Sequence, residues 1–361
     1  MPLRSSITTL ITPCISGALT AISLAMAPAI ASPALNYTPS LHRSAPLPAP
    51  AAIGADAGRY RVTLFPTVPG IGTRDVVPDP DGSVWFNAQW SGALGHLNPS
   101  TGDLKLYPLG PGSHPHGVVM GPEGDLWICD ESNTIRRFNR KTKAVTNYAL
   151  KPFPISLGYG NLNTPTFDRQ GILWFTAQNG YYGRLDPKTE EIRIYPAPGG
   201  FGPYGMTTMP SGEVWYTNLA AGHIARINPS TAKVDAIVTI PDASAYGSRR
   251  IWSDSKNNLW ITTWGNGTLY RYTPNTKSWL GYKLPGLGPR GYSTYVDSED
   301  NIWMSDFGTN SILMFNPDQE SFTIFPGNKA NIQTLQMAGN GPRIWAGMQG
   351  ADQLGLFERV P

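Results

Sequence analysis

The chain predicts an all-β fold, a seven-bladed β-propeller of four-stranded blades, and three observations predict it. An aliphatic residue followed by tryptophan recurs seven times, at Trp85, Trp127, Trp174, Trp215, Trp260, Trp303 and Trp345, at intervals of 42, 47, 41, 45, 43 and 42 residues. That period is too short for a domain and matches one propeller blade. The 39 glycines and 34 prolines, with only 15% charged residues, suit many short strands joined by tight turns. The 361 residues hold one repeat from about residue 60 to the end, which argues for a single closed body.

The elements follow in chain order. Residues 1–31 carry Arg4, an apolar stretch from about Ile7 to Ile30 and the small-residue pattern Ala29-Ile30-Ala31, and read as a cleaved export signal. The expectation is an exported protein, periplasmic or secreted, with no membrane span once the signal is removed. Cys14 leaves with the signal, so Cys129 remains as a single packed thiol with no disulfide partner. Residues 32–58 are rich in Pro and Ala and read as an extended tether. The propeller occupies 59–361.

Each blade centre is a polar or Gly-bearing turn and an apolar strand (DGSVWF, EGDLWI, QGILWF, SGEVWY, KNNLWI, EDNIWM, GPRIWA), the turn between first and second strands. A strand, an Asn/Asp/Pro turn and a strand follow, as in HIARINPSTAKVDAIVTI. The last repeat stops after its third strand. Residues Arg59–Pro66 resemble a fourth strand, so the N-terminal segment (about 59–66) is expected to pair into the last blade and close the ring. The tryptophans are expected to fill the space between neighbouring blades.

Counting from tryptophan locates the channel rim, because a hairpin sets the start of each first strand beside the end of the second. Eleven residues before it stand Arg74, His116, Asn163, Tyr204, Arg249, Tyr292 and Thr334. Three and four residues after it, one blade offers Asp130 and Glu131 against His116. Imidazole exchanges a proton near neutral pH, and a carboxylate orients it or holds a hard cation at a developing enolate oxygen. His116 is thus the candidate base and Glu131 and Asp130 the candidate metal ligands. His114, Arg74, Asn163, Tyr204, Arg249 and Tyr292 are the candidate substrate-binding residues. Net charge is +3 with no Lys/Arg run, which gives no footprint for nucleic acid. A small molecule or glycan at the channel mouth, bound by a monomer, is the expected partnership.

The segments PHGV and GDLW (His116 to Trp127), PYGM and GEVWYT (Tyr204 to Thr217) and HIARINPST (His223 to Thr231) resemble the repeat of the virginiamycin B (streptogramin B) lyase family across residues 60–361. The resemblance implies a seven-bladed propeller and a Mg²⁺-assisted elimination that opens the ester of a cyclic depsipeptide. It also implies a P-H-G histidine as base, matched by His116, and two metal-holding glutamates, of which Glu131 matches one. Where the family has the second glutamate this chain has His114, and Arg74 replaces a histidine of the preceding blade. An alternative is a uronate lyase, with Arg74, Arg249 and Arg290 neutralising carboxylate and Tyr204 or Tyr292 donating a proton. A further alternative is a non-catalytic propeller that binds a ligand or protein on its rim.

Overall fold

The computed structural model describes residues 35–150, 161–242 and 244–360; the expected export signal lies outside them. Seven antiparallel sheets form the ring. Blade 1 comprises Thr73–Pro78, Val84–Ala88, Ala93–Asn98 and Asp103–Pro108, and blades 2, 3, 4, 5 and 6 repeat the pattern over 115–149, 162–196, 203–239, 251–283 and 291–326. Blade 7 takes Thr334–Asn340, Arg343–Met348 and Gln353–Arg359 from the C-terminal end. Its fourth strand is Tyr60–Pro66, paired from Arg359↔Tyr60 to Gln353↔Pro66, so the predicted closure is present.

Each tryptophan packs onto the blade that follows it. Trp85 clusters with Leu126, Ile128 and Phe138 of blade 2, Trp127 with Leu173 and Phe175 of blade 3, and Trp345 with Val76, Val84 and Phe86 of blade 1. All seven are at most 3% exposed. Burying an indole leaves its N–H in need of an acceptor. In four blades an aspartate six residues earlier supplies it: Asp79, Asp168, Asp254 and Asp297 accept from Trp85, Trp174, Trp260 and Trp303 at 2.7–2.9 Å. Three of these carboxylates also accept backbone N–H groups of the turn, as Asp168 does from Gln170 and Ile172, so one residue locks both the hairpin and the interblade core.

The segment expected as a tether is extended, and it is also paired. Leu35–Asn36, Ser40–Arg43, Leu47–Pro48 and Ile53–Gly54 add outermost strands to blades 2, 1, 7 and 6 in turn. The Pro/Ala composition offers no alternating apolar face, yet short edge pairings need only backbone groups, which is why the sequence pattern does not announce them. Among the described residues no helix is long and apolar enough to cross a membrane.

Candidate functional site

Most of the first strands carry a register irregularity where they start, and the residue eleven before tryptophan lies at or within it. In blade 2, Pro115 pairs with Asp130 and Gly117 with Cys129, leaving His116 between them. Tyr204 falls in the gap between Pro203 and Met206, Asn163 between Leu162 and Pro165, Tyr292 between Gly291 and Thr294, and Arg74 between Thr73 and Val76. A bulge leaves its residue out of the ladder and re-aims its side chain, here toward the axis. Gly117 of the P-H-G segment is required by the next blade: a Cβ there would overlap the carbonyl of Asn163.

That carbonyl sets the state of His116. Nδ1 lies 3.2 Å from the Asn163 oxygen, while Nε2 faces Arg74 Nη2 at 2.9 Å and the Tyr204 hydroxyl at 3.2 Å. Arginine only donates, so Nε2 must be an acceptor and the proton resides on Nδ1, donated to Asn163. His116 is 3% exposed, and burial together with the Arg74 and Arg250 charges pushes its pKa well below the ordinary value. The imidazole is therefore neutral, with its lone pair directed into the cluster.

Around it the rim residues form one connected network. Tyr204 and Tyr292 share a hydroxyl–hydroxyl bond of 2.7 Å. Burial and the neighbouring Tyr204 raise the Tyr292 pKa, so the Tyr292 phenol holds its proton at neutral pH. Arg74 Nη1 donates to Gln89 Oε1 at 2.8 Å, and Gln89 Nε2 donates to Glu131 Oε1 at 2.9 Å. Gln349 also donates to Gln89, at 3.3 Å. Burial works against the Arg74 charge, but Asp75 beside it keeps its pKa raised. Glu131 is shifted the other way from a usual surface carboxylate, upward, chiefly by burial against the opposing pull of Arg74 and His114. Beneath the cluster Arg250 of blade 5 reaches Asp75 of blade 1 at 2.7 and 2.9 Å and Thr164 of blade 3 at 2.8 Å, a buried floor across the channel. A cavity of about 420 Å³ opens on the other side of this floor, lined by Met120, Phe167, Met206 and Trp252.

The predicted residues divide into four groups. His116, Arg74, Tyr204 and Tyr292 converge, with Asn163 contributing its backbone oxygen; its side chain donates instead to the Asn161 carbonyl. Arg249 is set to one side, its guanidinium 4.9 Å from the Tyr292 ring centre and 5.0 Å from that of Trp264. Asp130 faces away from the axis. Its oxygens accept from the Ser113 hydroxyl, the backbone N–H groups of His114 and Ser132, and Arg136 Nε at 2.6–3.0 Å. His114 is half exposed, with Nδ1 3.8 Å from Glu131 Oε2. Gln89, Asp75 and Arg250 were not among the candidates, although Gln89 occupies the same offset from tryptophan as Glu131.

The Mg²⁺ implied by the resemblance asks for carboxylate oxygens, usually one or two plus water. Glu131 offers one, already holding Gln89, and its neighbour is the imidazole of His114. Asp130 is committed to its own loop. Among the described residues no group of three or more His, Cys, Asp or Glu side chains is placed to share an ion. This donor set does not fit a two-glutamate centre. Cys129 is fully buried in the second strand of blade 2, its thiol pKa pushed well up by burial.

The virginiamycin B lyase family model matches residues 51–314, well over half of the chain. Among solved structures, a selenomethionine-substituted virginiamycin B lyase from Staphylococcus aureus superposes with a TM-score of 0.75 at 20% identity, covering 83% of this chain and 100% of that one. A catalytically inactive variant of the same enzyme with quinupristin gives 0.75 at 19%, again over 83% and 100%. A streptogramin B lyase structure gives 0.75 at 22%, over 83% of this chain and 98% of that one. No curated protein sequence matches the chain. At these identities the superpositions speak for the fold, and the family model for the lineage: the chain belongs to the virginiamycin B lyase family.

Proposed function

We propose that the upper mouth of the channel catalyses a β-elimination, removing a proton α to a carbonyl and expelling an oxygen from the β carbon. The observation that carries this reading is the convergence of an arginine and a phenol on the Nε2 lone pair of one neutral histidine, at 2.9 and 3.2 Å. Family membership supports the same chemistry: the solved relatives include a virginiamycin B lyase and its inactive variant with quinupristin. A cyclic ester or depsipeptide is accordingly the first substrate class to test.

In the resting site Arg74 and Tyr204 occupy the lone pair. A substrate carbonyl or carboxylate oxygen that takes Arg74 as its partner releases Nε2 toward the α carbon. The C–H pair then becomes the enolate π bond, the proton goes to Nε2, and the negative charge on oxygen meets the guanidinium. The C–O bond breaks as the C=C forms, and the departing oxygen takes the Tyr204 proton. The imidazolium N–H, one hydrogen bond from the tyrosinate, returns a proton to it. The electron pair leaves with the oxygen, and the proton taken from carbon ends on the leaving group by way of two side chains. Arg74 thus supplies the charge that the family resemblance assigns to a metal, and no step is routed through Mg²⁺.

A uronate is the second reading, favoured by Arg74, which suits a substrate whose α carbon bears a carboxylate. The test is incubation of residues 59–361 and of the longer 32–361 form with a streptogramin B compound and, separately, a uronate polymer, with and without chelator, repeated with His116→Ala. Unsaturated product that requires His116 supports the proposal. Absence of product from both substrates at high enzyme concentration overturns it in favour of a binding propeller.

A further inference from the structure

Beyond the network around His116, the same rim continues onto blades 5 and 6 as an aromatic surface carrying two more arginines. Tyr292 stacks on Phe307, ring centres 4.8 Å apart and 9° from parallel, and Phe307 meets Trp264 edge-on at 5.6 Å. Arg249 lies between Tyr292 and Trp264, and Arg290 stands 5.5 Å from the Trp264 ring. Tyr246, 57% exposed, flanks Trp264, whose backbone N–H donates to the Tyr246 carbonyl at 3.1 Å.

Neither guanidinium is paired with a carboxylate among the described residues. Among the described residues Arg249 donates only to the Gly247 carbonyl, at 3.3 Å. The local carboxylates are committed elsewhere: Asp242 to Ser244 and Asn266, and Asp306 to Thr309 and the backbone N–H groups of Arg290 and Gly308. Cation–π contact orients both guanidiniums without consuming their N–H donors, which stay free for planar anions.

The contacts form an unbroken line: Arg74, His116, Tyr204, Tyr292, Arg249, Trp264, Arg290. A ligand with one acidic group engages one of the three arginines. A ligand that repeats a carboxylate along a chain of flat-faced rings engages all three and lays its C–H faces on Trp264, Phe307 and Tyr246. We propose that blades 5 and 6 form a secondary subsite for an acidic oligosaccharide, a polyuronate, whose neighbouring unit lies over Arg74 and His116. This rests on the reading of the upper mouth as the elimination site.

The test is calorimetric titration of the His116→Ala protein, and of Tyr204→Phe as a second intact-substrate background, with galacturonate, mannuronate and glucuronate oligomers of one to three units. A neutral oligosaccharide and a sulfated neutral one of the same length serve as controls. The expected result is a uronate trimer binding about tenfold tighter than its monomer, weakening with added salt, with about fivefold losses for Arg249→Ala and Arg290→Ala that Lys partly restores. Equal affinity for the neutral oligomer, no binding of any uronate, or a sulfated ligand bound as tightly would each overturn the assignment. With the wild-type protein the two proposals separate. Arginine-dependent binding without product contradicts the elimination and leaves the subsite standing. Turnover indifferent to Arg249 and Arg290 contradicts the subsite and leaves the elimination standing.

Discussion

Two halves of the upper rim, built by the same repeat, carry opposite chemistry. Four residues after tryptophan, blades 7, 1, 2 and 3 present Gln349, Gln89, Glu131 and Gln178, whereas blades 4, 5 and 6 present Leu219, Trp264 and Phe307. In the first arc Gln349, Gln89 and Glu131 hydrogen-bond into Arg74 and through it to His116, while Gln178 accepts from Asn161. In the second, Trp264 and Phe307 form an aromatic surface, with Arg249 and Arg290 resting on Trp264. One residue earlier, the side chains do neither. Asp130, Asn218 and Asp306 all accept backbone N–H groups of the adjoining loop, at His114 and Ser132, at Ala220 and Ala221, and at Arg290, Gly308 and Thr309. The difference teaches that a shift of one position along the strand end separates residues that hold the scaffold from residues that face the ligand. It also assigns the base, His116, to the first arc and substrate placement to the second, with Tyr204 of blade 4 reaching across to the base.

The largest effect falls on the proton-transfer pair, His116 of the first arc and Tyr204, which reaches it from blade 4. His116→Ala lowers kcat by about a thousandfold, and Tyr204→Phe by about a hundredfold, with KM little changed, as removal of a proton-transfer group does. Steady-state kinetics on the substrate that turns over reads this directly, and a pure KM effect would break the comparison. Next comes the aromatic arc: Trp264→Ala raises KM about tenfold and leaves kcat nearly alone, since it removes platform and cation–π contact without touching the reacting atoms. Glu131→Gln, or added chelator, costs only about threefold here, because Gln preserves an acceptor for Gln89; a metal centre would lose about tenfold or more on losing a ligand. A hundredfold loss with chelator would reinstate the Mg²⁺ expectation.

The smallest effect is on stability. His116 and His96 titrate near 6.5 when unfolded but have lowered pKa values in the folded chain, that of His96 to about 4, both chiefly through burial. Below 6.5 the unfolded chain binds more protons at both sites, so their contribution is fully present above pH 6.5 and is lost as pH falls through the folded pKa values, that of His96 being about 4. Thermal melts should show Tm declining over that window, and the decline should be shallower in His116→Asn. The same burial keeps His116 unprotonated in the free enzyme, so kcat/KM should not fall through a midpoint at 6.5.

Seven aliphatic–Trp pairs were enough to read the blade count, because the interblade core needs one large residue per repeat at a fixed place, and the closing strand was legible in the likeness of Arg59–Pro66 to the other fourth strands. The rim positions holding His116, Arg74, Tyr204 and Tyr292 were legible for the same reason. What each does there was not. Asp130 and Glu131 are adjacent acids in the sequence, and only the pleat and the loop beyond it send one to Arg136 and the other to Gln89. The Asp75–Arg250 floor joins residues 175 positions apart, which no local pattern encodes. The N-terminal belt on blades 6, 7, 1 and 2 escaped notice because backbone pairing at an edge leaves little trace in side-chain pattern.

The central claim is that the protein cleaves a C–O bond by elimination, with His116 taking the α proton. It is tested most directly by letting the wild-type protein act in heavy-oxygen water on the streptogramin B compound and the uronate oligomer and weighing the products. Elimination gives an unsaturated fragment and a leaving alcohol whose masses sum to that of the substrate, with no solvent oxygen in either, or for a ring-opened depsipeptide one linear product of unchanged mass. His116→Ala should abolish it. Incorporation of solvent oxygen would mean hydrolysis, and unlabelled product formed equally well by His116→Ala would remove the histidine from its role.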